Sequence, residues 1–124
     1  MILNKRMQKV ASRVANIQHL LFVYGTLRKG EEAHFKMDGS VDFGTVKTSP
    51  NYKIIQEPTF IGLIDGNESV QGELYGISSE KLFELDNWED LIFRRSAIIL
   101  EDGRVADCYK LQKEVIQKAV ETKS

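Results

Sequence analysis

Apolar residues in this chain come in short runs broken by glycine, proline and aspartate. Only the ends of the chain and one central stretch carry helical spacing. Leu20, Leu21, Phe22 and Val23 lead into Tyr24, Gly25, Thr26 and Leu27. The run is too short to cross a membrane and fits a buried strand, with the glycine ending it because glycine reaches backbone angles other residues avoid. Residues 41–48, 52–55, 59–64, 70–77, 95–100 and 105–111 read as further strands. Asp65-Gly66-Asn67 and Asp102-Gly103 mark tight turns, and Pro58 stops the strand before it or sits at an edge. Gly72, inside the fifth strand, suggests a bulge or a close backbone approach. Residues 29–37 read as a loop with a short helical turn. Ser78 or Ser79 caps a helix that carries Leu82, Phe83 and Leu85 and runs to about residue 87.

The ends differ from this middle. Leu3, Met7, Val10, Val14 and Ile17 alternate spacings of four and three, which puts them on one helical face. Leu111, Val115, Ile116, Ala119 and Val120 stand at helical spacing in the tail and predict an amphipathic helix. The chain therefore divides into a basic amphipathic extension (1–19), a sheet-rich domain (20–111) and a helical tail (112–124). Short strands joined by tight turns, with few helices between them, predict an α+β fold. The expectation is a small mixed or antiparallel β-barrel with a few flanking helices.

The 124 residues make one domain, large enough to fold without a metal or disulfide staple. A net charge of −1 gives no general attraction to nucleic acid, so the aromatic residues are assigned to the core. The single cysteine, Cys108, excludes an internal disulfide and fits a reducing, cytoplasmic setting. It reads as a small core residue. His19 and His34 have no partners at metal-ligand spacing, and there is no phosphate-binding or dinucleotide fingerprint, so no metal or cofactor is expected. The first 19 residues hold Lys5, Arg6, Lys9 and Arg13 and no acid. Such a segment can lie on a membrane, serve as a transit peptide or pack on protein. It is read as packing on its own domain or on a partner, a homodimer through the terminal helices included, rather than on a membrane.

Candidate chemistry collects in two places. Past Gly25, the amides of Gly25, Thr26 and Leu27 can form a concavity for an anion. Downstream, Asp86, Glu89 and Asp90 stand among Leu85, Trp88, Leu91 and Phe93. An apolar wall raises a carboxylate's proton affinity toward the range where it can act as a base near neutrality. Taken alone, Glu89 also reads as an exposed loop acid.

Four segments occur in order: Tyr24-Gly25-Thr26-Leu27-Arg28; Asp42-Phe43-Gly44-Thr45; Val70-Gln71-Gly72-Glu73-Leu74-Tyr75; and Leu85-Asp86-Asn87-Trp88-Glu89 with Phe93-Arg94-Arg95. Over about residues 20–111 this resembles the γ-glutamylcyclotransferase-like family, and Tyr-Gly-Thr-Leu resembles its AIG2-like and γ-glutamylaminecyclotransferase branch. Phe93 stands where the family commonly has Tyr, and Trp88 where Phe or Tyr is more usual. The resemblance implies a barrel with a cavity, a small-molecule γ-glutamyl substrate and no metal or cofactor. It implies that Tyr24, Gly25, Thr26 and Leu27 bind substrate and that Glu89 is the catalytic acid/base. The substrate's α-amine would attack its own γ-carbonyl, an acyl transfer of lyase type that gives 5-oxoproline and a free amine. The alternative is a catalytically idle γ-glutamyl-binding or protein-interaction module of the same fold.

Overall fold

The computed structural model describes residues 3–123, with side chains described through Lys118. Ala119 and Val120 of the expected tail stripe lie outside the described side chains. The order is α1 (Lys5–Ala15), β1 (His19–Val23), a 3-10 turn (His34–Met37), β2 (Val41–Lys47), β3 (Tyr52–Gln56), β4 (Ile61–Asp65), β5 (Gln71–Ile77), α2 (Ser79–Trp88), β6 (Phe93–Ile99), β7 (Val105–Leu111) and α3 (Lys113–Lys123). The fold is mixed α+β.

The seven strands form one mixed sheet in the order β2-β5-β1-β7-β4-β3, with β6 on β7. β1 is central because it is apolar on both faces. Its Leu21 and Val23 join a core under α2, with Tyr75, Ile77, Leu82 and Leu85. Its Phe22 faces the opposite core, with Leu63, Leu74, Ile98 and Cys108. The named strands do not close a full barrel. Thr48 and Leu100 form an isolated antiparallel bridge that ties the end of β2 to the end of β6. Thr48 is fully buried there, and its Oγ1 accepts from the Val70 amide at 2.9 Å.

β7 creates the feature on which the site is built. β6 pairs with it along its whole length, on one edge. On the other, β1 runs parallel to it at Asp107, and β4 runs parallel to it at Lys110. A strand that trades one neighbour for another along the same edge leaves a fork, and β1 ends in that fork. Gly72 makes a close approach there, since a Cβ would stand 2.4 Å from the Val23 carbonyl oxygen. The bulge falls on its partner β2, between Asp42 and Thr45, where Gly44 has φ +89°.

α1 forms where the periodicity places it, capped by Asn4, whose Oδ1 accepts from the Met7 amide at 2.8 Å. None of its residues is buried: Met7, Val10 and Val14 are exposed, and the member of the stripe that packs on the sheet is Ile17, which follows the helix and lies beside Gly76. Among the described residues, no helix is long and apolar enough to cross a membrane.

Candidate active site

The Tyr24 side chain fills the fork. Its hydroxyl donates to the Tyr109 carbonyl on β7 at 2.6 Å and accepts from the Leu63 amide on β4 at 3.0 Å. Burial, with Cys108 and Glu89 nearby, pushes the phenol's pKa far above the usual tyrosine value. It is a neutral pin, already fully bonded, and holds the start of the next loop.

In that loop every carbonyl from 25 to 27 is occupied. Gly25 accepts from the amide and Nε of Arg28, both at 3.1 Å. Thr26 accepts from the Ala33 amide at 3.0 Å, and Leu27 accepts from His34 Nδ1 at 2.8 Å. A carbonyl only accepts, so that histidine nitrogen carries its proton. The buried Leu27 side chain anchors the turn. The amides of Gly25, Thr26 and Leu27 have no acceptor among the described residues. Consecutive amides without acceptors are the material from which an anion-binding concavity is made. Gly25 is not glycine for its backbone angle, as the sequence reading had it, because its φ is not positive. A Cβ there would meet nothing within 4 Å, so the room it leaves belongs to the cavity.

That cavity measures about 560 Å3, and Tyr24, Gly25, Thr26 and Leu27 line one side. Glu89 lines it as well. α2 sets the position of Glu89. Ser78 caps the helix by accepting the Lys81 amide at 3.1 Å, and Leu82 and Leu85 bury its inner face. Glu89 donates its amide to Leu85 at 2.9 Å, and its own ψ of 146° turns the chain out of the helix. The carboxyl is half-buried beside the carbonyl end of α2, which disfavours negative charge. Burial pushes its pKa up from 4.5 to about 7; the Asp90 amide opposes this and the Asp90 charge adds to it. Asp90 fixes the following turn by accepting the Ile92 amide at 3.1 Å.

Tyr109 lines the same cavity and donates its hydroxyl to Asp86 at 2.7 Å. Asp86 also accepts from Arg95 Nε at 3.0 Å. Arg95 thus ties α2 to the sheet and stays out of the cavity lining. The far wall comes from the β3–β4 connection, with Glu57, Pro58 and Phe60. Sequence reasoning missed this wall and missed Glu32 on the rim. Every charged side chain in the lining (Glu32, Glu57, Glu89 and Asp90) is acidic. Among the described residues no group of three His, Cys, Asp or Glu side chains is arranged to hold a metal ion. Cys108 is buried, and burial raises its thiol far above the reactive range.

Residues 21–123 match the family described as "Gamma-glutamyl cyclotransferase, AIG2-like". The chain belongs to that family. It is 40% identical over 84 residues to the curated Vibrio cholerae protein named "Putative gamma-glutamylcyclotransferase", covering 66% of this chain and 73% of that one. Two solved structures share the fold at 22% identity. They are a uropathogenic Escherichia coli-specific protein (TM-score 0.73, 80% of this chain and 83% of that one) and a mouse AIG2-like protein (TM-score 0.66, 79% and 82%). Kluyveromyces lactis allophanate hydrolase contains the same fold at TM-score 0.68 and 20% identity, and the chain spans 18% of that protein's length against 77% of its own. Family membership supports γ-glutamyl cyclotransferase activity in general and a small-molecule substrate.

Proposed function

We propose that the protein cyclises the γ-glutamyl group of a γ-glutamyl amine or amide to 5-oxoproline, with Glu89 as the acid/base. The observation that carries this reading is the shared cavity: a half-buried carboxyl with a pKa of about 7 faces the same hollow as three amides without acceptors. The amides of Gly25, Thr26 and Leu27 take the substrate's α-carboxylate, each a charge-assisted hydrogen bond worth roughly 1.5–3 kcal/mol. Glu89, as carboxylate, takes a proton from the α-ammonium. The freed amine attacks the γ-carbonyl carbon and closes the five-membered ring. The bond to the leaving nitrogen breaks as Glu89 gives its proton to that nitrogen. The regenerated carboxylate then takes the second proton from the ring nitrogen and passes it to the departing amine, which leaves as the ammonium beside a neutral lactam. The nucleophile belongs to the substrate, so the protein needs no reactive serine or cysteine. Holding amine and carbonyl in register supplies several kcal/mol, up to about 7–11 in the best intramolecular cases.

The lining also bears on the leaving group. An acidic wall with no lysine, arginine or histidine in it disfavours a second carboxylate on the departing amine and favours a cation there. Residues 20–111 form the working domain in this reading, and the terminal helices lie outside the chemistry. Mass-spectrometric detection of 5-oxoproline across γ-glutamyl dipeptides, ε-lysyl, polyamine and glutathione substrates tests the proposal. The wild type should release it from at least one, and Glu89→Gln from none. Binding without release by the wild type would leave an idle γ-glutamyl-binding module in place of the enzyme.

A further inference from the structure

Four of the 17 basic side chains and none of the 18 acidic ones lie before residue 20, so the rest of the chain carries 13 against 18. Three of the four, Arg6, Lys9 and Arg13, run along one side of the apolar row Met7, Val10 and Val14, which its own domain leaves largely uncovered. Met7, Val10 and Val14 are 44%, 53% and 53% exposed. The root of α1 is held to the body: Gln18 donates its amide to Ile77 and accepts the Ser79 amide, both at 2.9 Å. The chain that leads from α1 is thus tied to the start of α2.

The outer face of α2 has the complementary pattern. Glu80, Phe83, Glu84 and Asn87 recur at helical spacing and line an open groove of about 780 Å3, whose other side is the end of α1. Phe83 is 70% exposed at its centre. Lys81 also lines this groove, bonding Glu84 at 2.7 Å and the Lys36 carbonyl at 3.1 Å, and Arg13 lines it from the α1 side. Among the described residues, Glu80 is therefore the acid there with no basic side chain bonded to it.

We propose that the chain forms a two-fold dimer in which α1 of each copy lies against the Glu80–Phe83–Glu84 face of α2 of the other. The basic edge of α1 meets acids, and Met7, Val10 and Val14 cover Phe83. An 11-residue helix is about 16 Å long, short of what a standard interface of roughly 800 Å2 per partner needs. Reciprocal docking supplies two such helices. Between Lys5 and Ala15 the large apolar residues are one methionine and two valines, without the tryptophan or phenylalanine that anchors an interfacial helix. The fork and cavity stay clear of this face, so the dimer stands independently of the catalytic reading.

Analytical ultracentrifugation of the full chain tests it. The wild type should sediment as a dimer whose dissociation constant rises with salt. Arg6→Glu with Lys9→Glu should weaken it at least tenfold; acids near the N-terminus of α1 favour the helix, so helix loss would not explain the result. Glu80→Lys with Glu84→Lys should do the same, and all four changes in one chain should restore the dimer. A monomeric wild type overturns the proposal, as does a dimer indifferent to either reversal, or a quadruple variant that folds and stays monomeric. Binding to anionic phosphatidylserine vesicles by a monomer overturns it in favour of a membrane surface.

Discussion

Glu89→Gln should make the protein more stable while removing its activity, and the size of the gain follows from the burial of one carboxyl. In the fold its pKa is about 7, against 4.5 when fully solvated. At about 1.36 kcal/mol per pKa unit, the ionised form is disfavoured by about 3.4 kcal/mol. Part of the carboxyl still reaches water, and screening reduces that to about 2 kcal/mol. The sign follows from proton binding. Below pH 4.5 the group is protonated folded and unfolded, and nothing is lost. Between 4.5 and 7 the folded state holds more proton than the unfolded one, so stability falls as pH rises. Above 7 the whole penalty applies. Glutamine has nearly the shape of the protonated acid and never ionises. The variant should therefore match wild type at pH 4.5 and exceed it by about 2 kcal/mol at pH 8, or roughly 6–10 °C in Tm. Urea unfolding of both proteins across that range isolates the term, because every other titration cancels in the difference. A stability difference that is flat with pH, or that favours wild type at pH 8, would refute the placement of Glu89 against a low-dielectric wall.

The same pKa shapes activity: if Glu89 must be ionised to accept the first proton, kcat/KM should rise with a midpoint near pH 7, and a profile that falls through 7 would contradict a base. Gly25→Ala should leave the fold intact or raise its stability by up to about 1 kcal/mol, yet raise KM at least tenfold, because the methyl enters the cavity; unchanged kinetics would remove the loop from the binding site. Tyr24→Phe should cost about 2–3 kcal/mol, measured by denaturant, since it strands the Tyr109 carbonyl and the Leu63 amide, while the remaining folded protein keeps most of its turnover. Among γ-glutamyl amides of 1,4-diaminobutane, pentylamine and 5-aminopentanoate, which match in length, kcat/KM should fall in that order at low salt; preference for the carboxylate would contradict the acidic wall.

The strands and α2 were legible because their causes are local. β7 begins and ends where alternation and the Asp102-Gly103 turn put it, and α2 starts at the Ser78 cap. The parallel contacts of β7 with β1 and β4 were not legible, because no local signal says which distant strands meet. The β3–β4 connection was therefore read only as a strand end at Pro58, when it is one wall of the cavity. The tyrosine, glycine, threonine and leucine of the first loop were all singled out as substrate contacts, but the structure divides their work. Tyr24 spends its hydroxyl on two backbone groups, Gly25 contributes empty space, and Leu27 is a buried anchor.

That division explains why the site lies at the fork. A continuous ladder would have engaged the amides that follow β1, leaving none without an acceptor. Because β7 changes partners, β1 has no further strand to pair with on that side, and the gap must be filled by something that bonds both β7 and β4. A tyrosine reaches both with one hydroxyl. Once it is pinned, the three carbonyls beyond it turn to Arg28, Ala33 and His34, and their amides are left without an acceptor among the described residues. The acid is placed by an equally local device. α2 ends at Trp88, and the first residue to leave the helix is Glu89, whose side chain meets the hollow that the fork opened. Its neighbours on either side, Trp88 and Asp90, are both exposed, so Glu89 is the position at this turn where a carboxyl is taken out of water. The expected loss of function in a Glu89→Gln, Asp90→Glu double variant follows directly: the acid count at 89–90 drops to one in a solvated place, so 5-oxoproline release should stay at the level of Glu89→Gln alone. Recovery of turnover by that transplanted carboxylate would show that burial at position 89 is not what the chemistry uses.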